Sequence, residues 1–496
     1  MQIRLTPHQP LSAPTVVIPV EKTDDVTETL NRLANRFSIP SSVLEHDFKA
    51  DFKEVLPLYQ ADGRKIYLLG LGKEPTAMVW LRAFREFFFR QKERLTATVG
   101  LDLSGFSAHV IESVVLGIRW GGYDLKLHVT DKPKTADFYT EEGLLEIYTP
   151  DNQQKAAEEV LARAEAIAAT HRQILDLMNS PSNYKIPQVL ADWAVASGQQ
   201  YGYSVTVFDK AEIERQGLLA LLSVNKGSEH PPVFIIAEYK PDNLPDAKKV
   251  GLVGKGVTFD TGGISIKPST GMHLMKSDMG GAAAVLGTME VAAKLQLPVH
   301  LIGIIPSTEN MVDGAATKPG DVIGSYLGKT IEVIDTDAEG RIILADGLGY
   351  MVRNFQPDVL IDLATLTGSV IGTLGYHAAG LFSNNDELTS QLLKSATETG
   401  ERLWPLPLWD VYKEDIQSDV ADLKNFSGKP MAGAISAAKF LEVFTESHPA
   451  WAHLDIAGMA FTDTEFGTQK NATGFGIRLL IDFLRSEFRV EKGADG

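Results

Sequence analysis

Residues 250–260 read Val-Gly-Leu-Val-Gly-Lys-Gly-Val-Thr-Phe-Asp, a short apolar run that passes directly into glycine, lysine and aspartate. An apolar run of this length that ends in a glycine turn is typical of a buried strand, so we predict a strand at Val250–Gly254. Lys255 and Asp260 then fall in the segment directly after this strand. In open parallel sheets, ligands bind beyond the carboxyl ends of the strands, which makes this segment a candidate site.

The chain downstream of about residue 184 alternates short apolar runs with longer helical patterns. Such alternation indicates βαβ units and a mainly parallel central sheet flanked by helices. The predicted strands are Ser204–Phe208, Val233–Tyr239, Val250–Gly254, Val299–Ile305, Thr330–Ile334, Val359–Leu363 and Ala452–Ile456. The predicted helices are Gly281–Leu295, Ile342–Asn354, Leu388–Thr399, Ile435–Ser447 and Gly474–Phe488.

The first 150 residues mix strand and helix patterns of their own. An apolar run at Arg64–Gly72 predicts a strand, and Thr76–Arg90 predicts the helix that follows it. The stretch Asp131–Pro150 is polar, and we predict it to be irregular. Together these patterns predict a separate α/β region at the start of the chain.

A chain of 496 residues is longer than one ordinary hydrophobic core supports, so two domains are expected. An Ala- and Glu-rich helical pattern without Gly or Pro runs over Asp151–Met178 and stops at the turn-forming Asn179–Asn183. We therefore predict an α/β protein with a smaller N-terminal α/β domain (1–150), a linking helix and turn (151–183) and a larger C-terminal α/β domain (184–496).

The composition narrows the class of protein. A net charge of −17 argues against a large surface for nucleic acid or for an anionic membrane. The absence of cysteine excludes disulfides, thiolate zinc sites and a cysteine nucleophile, and it agrees with a reducing compartment. Because Met1–Pro10 lacks a basic region followed by an apolar core, no secretory signal is visible and a cytoplasmic protein is expected.

A second polar segment, Asp335-Thr-Asp-Ala-Glu-Gly-Arg341, follows the predicted strand Thr330–Ile334. In extended or loop backbone, residues two apart point the same way, so Asp337 and Glu339 are predicted to face one site. With Asp260 and Asp278 they make four carboxylates, enough charge to balance two divalent cations. Because buried carboxylates are costly unless cations neutralise them, the pattern indicates a site for two metal ions.

Three cationic side chains accompany these carboxylates. Lys255 lies between two glycines, and a lysine near metal ions can lose its proton and bind a metal. Lys267 and Arg341 are suited to stabilising a developing oxyanion, and Arg341 also to binding an anion through two hydrogen bonds. Each motif alone is more typical of a solvated loop or turn, and it is their joint position beside apolar strands that favours a site.

Other catalytic motifs are absent or incomplete. The chain has no H-E-x-x-H and no G-x-S-x-G motif, which argues against a zincin and a serine hydrolase. Gly324–Thr330 is similar to a phosphate-binding loop but is one residue short. His273 and His377 lie near the candidate segments, and we interpret both as ordinary polar residues.

The motifs resemble the leucine (cytosol) aminopeptidase family, whose signature is N-T-D-A-E-G-R-L. Here Asp335 replaces the Asn and Ile342 replaces the Leu. The match continues in order and spacing over about residues 175–490 and is loose in the N-terminal part. The other matching segments are 253–281, 362–368, 451–458 and 472–476.

The resemblance implies a leucyl aminopeptidase-type metallo-exopeptidase whose catalytic domain is residues 184–496. Such an enzyme releases N-terminal Leu and other, mainly apolar, residues from peptides through a metal-activated hydroxide. Two divalent ions, zinc or manganese, would be bound by Lys255, Asp260, Asp278, Asp337 and Glu339. Lys267 would stabilise the tetrahedral intermediate, and Arg341 would bind a bicarbonate that acts as general base. The pocket for the N-terminal side chain would be lined by Met275, Thr365, Gly368 and Ala457.

The resemblance also implies an assembly, a homohexamer built from two trimers. Two other functions stay open. A dipeptidase that prefers Cys-Gly dipeptides would use the same chemistry and differ only in the shape of its pocket. A non-catalytic scaffold or DNA-binding regulator is disfavoured by the intact set of polar residues and by the acidic charge.

Overall fold

The computed structural model describes every residue except 8–12, 25, 132, 242–243, 245, 466–468 and 489–496. The chain divides into two compact units, Met1–Arg172 and Gln173–Gly496, and the division falls inside one long helix, Gln154–Asn179. Both units contain a sheet rich in parallel strands together with helices, which confirms the predicted α/β class. In the part of the chain that is described, no helix is both long and apolar enough to cross a membrane.

The first unit contains a six-stranded sheet in the order β1-β6-β5-β2-β4-β3, in which only β3 is paired antiparallel. Its strands are β1 (Gln2–Thr6), β2 (Thr15–Val20), β3 (Val55–Tyr59), β4 (Lys65–Gly70), β5 (Thr98–Asp102) and β6 (Leu144–Tyr148). The helices up to the division are α1 (Val26–Phe37), α2 (Ser41–Asp47), α3 (Ala77–Gln91), α4 (Val110–Gly121) and α5 (Gln154–Asn179).

The prediction of an irregular Asp131–Pro150 was wrong for its last third. Strand β6 lies there, between β1 and β5 in the sheet. Leu145 and Ile147 are fully buried while their neighbours are partly exposed, so the strand does alternate. Five alternating residues after a long polar stretch are too few to stand out, and the pairing with β1 and β5 decides the structure.

The second unit has one large and one small sheet. Its strands are β7 (Ser204–Phe208), β8 (Val233–Tyr239), β9 (Lys249–Gly254), β10 (Gly256–Asp260), β11 (His300–Asn310), β12 (Val322–Ile323), β13 (Ile331–Glu332), β14 (Val359–Ala364), β15 (Ala379–Ser383), β16 (Leu403–Pro405), β17 (Leu423–Lys424) and β18 (Trp451–Asp455). Its helices are α6 (Pro187–Tyr201), α7 (Lys210–Gln216), α8 (Leu219–Asn225), α9 (Gly280–Lys294), α10 (Glu339–Phe355), α11 (Gly368–Leu374), α12 (Asp386–Thr399), α13 (Gly433–Glu442) and α14 (Ile477–Glu487).

The large sheet runs β16-β15-β18-β14-β9-β11-β8-β7, with β10 paired to β11. Its centre, β18-β14-β9-β11, is parallel, so these four strands end at the same edge. Strand β9 is buried on both faces, since Val253 contacts α10 while Gly254 packs against α9. This explains its almost continuous apolar sequence. Beyond its end lies Lys255, and beyond β14 lies Thr365.

The prediction of a strand at Thr330–Ile334 was also wrong, both in the length of the strand and in the sheet to which it belongs. Only Ile331–Glu332 form a strand, and it belongs to the small three-stranded sheet β12-β13-β17. The strand predicted to end at Ile305 continues to Asn310, because β10 pairs with its polar end. Both differences come from pairing partners that are distant in sequence.

We predict that Gly281→Ala destabilises the fold, because α9 lies directly against the strand ends at this glycine. A Cβ there would overlap the Leu363 carbonyl oxygen and lie 2.8 Å from the Lys255 nitrogen. Both are backbone atoms that cannot move aside, so urea unfolding is expected to show a loss of about 1–3 kcal/mol or more. In Gly372→Ala, whose Cβ would meet nothing within 4 Å, stability should rise slightly. Equal stabilities for the two variants would contradict this packing.

Candidate metal centre

One cavity of about 530 Å³ opens at the carboxyl edge of the large sheet. The three segments that follow β9, β13 and β14 all line it. Of the predicted site residues, only Glu339 does not line this cavity and is buried close to it. The others that line it are Lys255, Asp260, Lys267, Met275, Asp278, Asp337, Arg341, Thr365, Gly368 and Ala457.

Asp260 is the last residue of β10, and its carboxylate is fixed by two hydrogen bonds. Its Oδ1 accepts from Asn310 Nδ2 at 2.8 Å and from the Gly262 amide at 2.9 Å. Asn310 pairs with Asp260 across the two strands and also donates to the Thr336 carbonyl at 3.0 Å. Sequence reasoning missed Asn310. The signal that could have indicated its role was an amide side chain at the polar end of an apolar strand, which pairs with the segment of Asp260.

The carboxylates of Asp337 and Glu339 lie close together. Asp337 lies in a loop, and Glu339 is the first residue of α10, which follows that loop. The loop is fixed by Asp335, whose Oδ1 accepts from the Asp337 amide at 2.9 Å. One carboxylate oxygen each from Asp260, Asp337 and Glu339 lie within 4.8 Å of one another. Carboxylates this close are able to bind a metal ion together.

Two lysines neutralise part of this charge. Lys255 Nζ lies 2.7 Å from Asp278 Oδ2 and 2.8 Å from Glu339 Oε1, and it donates to the Thr365 carbonyl at 3.0 Å. Lys267 Nζ lies 2.7 Å from Asp260 Oδ2 and also pairs with Asp337. Each lysine therefore contacts two carboxylates.

The titration of these groups reflects crowding of like charges in a buried place. Burial and the neighbouring Asp260 and Glu339 carboxylates raise the pKa of Asp337 to about 7. Burial also raises the pKa of Asp260 and, strongly, that of Asp278. Burial acts to lower the pKa of Lys255, but the surrounding carboxylates outweigh it and raise this pKa. The site is therefore short of positive charge even with its lysines protonated.

Arg341 supplies a further buried cation. Its Nη1 donates to the Asn425 carbonyl at 2.8 Å, and burial lowers its pKa to about 10. Its Nε has no hydrogen-bond partner among the described residues. Since Arg341 lines the cavity, this leaves donor capacity in the wall that Asp260 and Asp337 also line.

The rest of the cavity wall contains both apolar and polar residues. Met275 lies in a short 3₁₀ segment, Met272–Ser277, that ends directly before Asp278. Gly368 begins α11, and a Cβ at this glycine would meet no atom within 4 Å. Sequence reasoning missed several other lining residues, because none lies in a charged motif. They are Leu274, Ile371, Tyr376, Phe426, Phe461 and Lys470.

Comparison with known proteins identifies the family of this chain. Residues 173–481 match the family model described as the cytosol aminopeptidase family, catalytic domain. The probable cytosol aminopeptidase of Chloroherpeton thalassium is 43% identical over 98% of this chain and 100% of its own length. The protein of the same name from Chlorobium luteolum is 46% identical over 88% of this chain and 90% of its own. The chain belongs to the cytosol aminopeptidase family. It is therefore a metal-dependent aminopeptidase, a metallo-exopeptidase of the hydrolase class.

Two solved structures share the fold over almost the whole chain. The structure of the cytosol aminopeptidase from Coxiella burnetii aligns with a TM-score of 0.83 at 30% identity, covering 98% of this chain and 99% of that one. The bottromycin maturation enzyme BotP, solved in complex with Mn, aligns with a TM-score of 0.83 at 32% identity, covering 96% of this chain and 100% of that one.

Cytosol aminopeptidases use two divalent metal ions, and the residues of this site suit such a pair. Four buried or half-buried carboxylates surround only two ammonium groups. Asp278 Oδ2 and Glu339 Oε1 are buried oxygens that share the single ammonium of Lys255, at 2.7 and 2.8 Å. Buried carboxylate oxygens with an excess of negative charge are what a pair of divalent cations requires.

We predict that Asp337→Asn separates metal binding from folding. In metal-free protein above pH 7, this change removes one of three crowded charges, so the melting temperature should stay equal or rise. Addition of Mn²⁺ or Zn²⁺ should raise the melting temperature of the parent protein, because the ions bind only the folded state, and should raise that of the variant much less. Thermal unfolding with and without chelator measures both effects. Equal metal-induced shifts in the two proteins would exclude Asp337 from the metal centre.

Proposed function

We propose that this aminopeptidase binds its two ions through Lys255, Asp260, Asp278, Asp337 and Glu339. The observation that carries this proposal is the convergence of the Asp260, Asp337 and Glu339 oxygens within 4.8 Å at a cavity of substrate size. Asp260 and Glu339 would hold the ions from the two lysine sides of the site, because Glu339 pairs with Lys255 and Asp260 pairs with Lys267. A lysine and carboxylate oxygens are ligands that zinc and manganese accept, and the similar BotP structure contains Mn.

When bound, the two ions lower the pKa of a water molecule and polarise the carbonyl that is attacked. The residues of the chain supply the rest of the reaction. Burial acts against the charge of Lys267, but Asp260, Glu339 and Asp337 outweigh it and raise its pKa, so Lys267 stays an ammonium. At the cavity wall it is placed to stabilise negative charge that develops on the carbonyl oxygen.

Arg341 is proposed to bind a small anion, with bicarbonate as the candidate, that accepts a proton during the reaction. Its free Nε and its position in the cavity wall support this role. A planar anion suits a guanidinium because two parallel hydrogen bonds can form. A proton acceptor held beside the metal centre would activate water without a titrating side chain of the protein.

The preferred substrates are proposed to be peptides with an apolar N-terminal residue. The cavity wall formed by Met275, Thr365, Gly368 and Ala457 is extended by the apolar side chains of Leu274, Ile371 and Phe461. Substrate binding becomes more favourable with each methylene group of the substrate that this wall removes from water. The metal ions would take the free amine of the substrate, which limits cleavage to the first residue.

We predict that Gly368→Val narrows the range of substrates. A Cβ at this position points into open space, so the new side chain fits the fold but occupies the cavity. The ratio of kcat/KM for leucyl-anilide to that for alanyl-anilide should fall at least about tenfold, since a pocket discriminates by about 1–3 kcal/mol per methylene. A loss of equal size for both substrates would argue against Gly368 as part of the side-chain pocket.

We also predict that hydrolysis of leucyl-anilide requires both a metal ion and a free amine. Dialysis against chelator should abolish turnover, and Mn²⁺ or Zn²⁺ should restore it. Acetyl-leucyl-anilide should not be cleaved, because its amine cannot bind metal, and Cys-Gly serves as a comparison substrate for a dipeptidase. Activity that survives complete removal of metal would contradict the proposed site.

We further propose a homohexamer of two trimers and a cytoplasmic location. In support of an assembly, the single chain exposes several large apolar side chains between residues 404 and 431, and such residues are common at interfaces. They are Trp404, Trp409, Val411, Val420 and Met431. The location is supported by the name cytosol aminopeptidase carried by the relatives.

A further inference from the structure

Asn425 is a fully buried amide whose side-chain hydrogen bonds, in the described part of the chain, go to backbone and not to the carboxylates or lysines of the metal centre. It follows β17 at the edge of the small sheet, and its own amide donates to the Glu332 carbonyl of β13 at 3.0 Å. The side chain of Asn425 therefore enters the loop between β13 and α10. That loop carries Asp337 and ends at Glu339.

All four hydrogen-bonding positions of the Asn425 side chain are used on this loop. Its Oδ1 accepts from the Ile334 amide at 2.8 Å and from the Asp335 amide at 3.3 Å. Its Nδ2 donates to the Asp335 carbonyl at 2.6 Å and to the Ala338 carbonyl at 3.3 Å. A side-chain amide has two donors and two acceptor sites, so no other residue type of this size can replace it here.

The loop is held largely by side chains. Strand β13 ends at Glu332, and the next residue, Val333, still bonds the backbone of Gly320 and Asp321. From residue 334 to the start of α10 at Glu339, side chains that include Asn425 and Asn310 bind the loop. Like charges on Asp337, Glu339 and Asp260 repel one another and favour opening of the loop in the absence of a cation. Asn425 opposes that movement with bonds to the backbone on both sides of Asp337.

The same residue also fixes the buried arginine. The Asn425 carbonyl accepts from Arg341 Nη1 at 2.8 Å, and the next residue, Phe426, lines the cavity. The loop between β13 and α10 and the side chain of Arg341 are therefore both held by the same residue. A shift at residue 425 would move both.

We propose that Asn425 is a positioning residue that preorganises Asp337 and Glu339 for metal binding and Arg341 for catalysis. This inference rests on the proposed function for the identity of the ligands. It does not place Asn425 in contact with an ion or with the substrate. Groups that orient metal ligands in this way contribute to affinity because the site need not be ordered when the ion arrives.

The test is metal affinity measured in the full-length protein. Asn425→Asp keeps the acceptor and loses both donors, while Asn425→Ala removes all four bonds without adding charge. Titration of metal-free protein with Mn²⁺ should show dissociation constants about 10–100-fold weaker in both variants than in the parent. In protein saturated with metal, kcat should fall more than KM changes, because Arg341, which Asn425 positions, is proposed to act on the reaction and not on substrate binding.

Asn384 offers a matched control. Its Nδ2 donates to the His448 carbonyl at 2.7 Å and its Oδ1 accepts from the Trp451 amide at 3.0 Å, so it also binds backbone at both ends of its amide. Asn384 does not line the cavity. Asn384→Asp and Asn384→Ala should leave the Mn²⁺ dissociation constant unchanged. Folded Asn425 variants that bind Mn²⁺ as tightly as the parent would overturn the inference, whereas a parent that binds no ion would overturn the proposed function as well.

A second measurement needs no variant and covers the case in which residue 425 cannot be changed without unfolding. Hydrogen exchange of the metal-free parent should show slow exchange at the Ile334 and Asp335 amides, since both donate to Asn425 Oδ1. Protection before any ion is added supports preorganisation. Rapid exchange of both amides in metal-free protein, with protection only after Mn²⁺ is added, would show that the ion orders the loop and would overturn the inference.

Discussion

The structure depends on keeping carboxylates together that repel one another. Asp260 and Glu339 are almost fully buried, and Asp337 lies beside them. Ionised groups this close in a site of low polarity are costly without cations, and two lysines offset only part of that cost. The remaining deficit of positive charge is what, in the proposed function, two divalent ions would offset.

Rigid backbone prevents the carboxylates from moving apart to relieve this repulsion. Asp260 ends a strand paired to β11, and Glu339 begins α10, where the helix dipole favours a negative charge. Helix α9 approaches the strand ends so closely at Gly281 that a methyl group would overlap backbone. Of the three clustered carboxylates, Asp337 is the one that lies on a loop, and the side chains of Asp335 and Asn425 bind that loop. Side-chain hydrogen bonds thus hold the carboxylate that no helix or strand holds.

Local pattern was sufficient to predict the main elements of the second unit. The apolar run at 250–254 is a central strand, and the residues directly after it line the cavity as expected. Asp337 and Glu339 were predicted to face one site from their spacing in extended or loop backbone, but the start of a helix at Glu339 was not predicted. The small sheet was not predicted, since β13 has two residues and its partner β17 is about ninety residues away. Asn310 and Asn425 were missed for the same reason, as their roles come from contacts between distant segments.

The most direct test of the central claim is anomalous diffraction from crystals grown with Mn²⁺. The account predicts two peaks per chain, about 3.5–4 Å apart, with oxygens of Asp260 and Glu339 near both ions. Crystals in which Asp260, Asp337 and Glu339 stay together with no ion between them, at Mn²⁺ concentrations that support full activity, would contradict it.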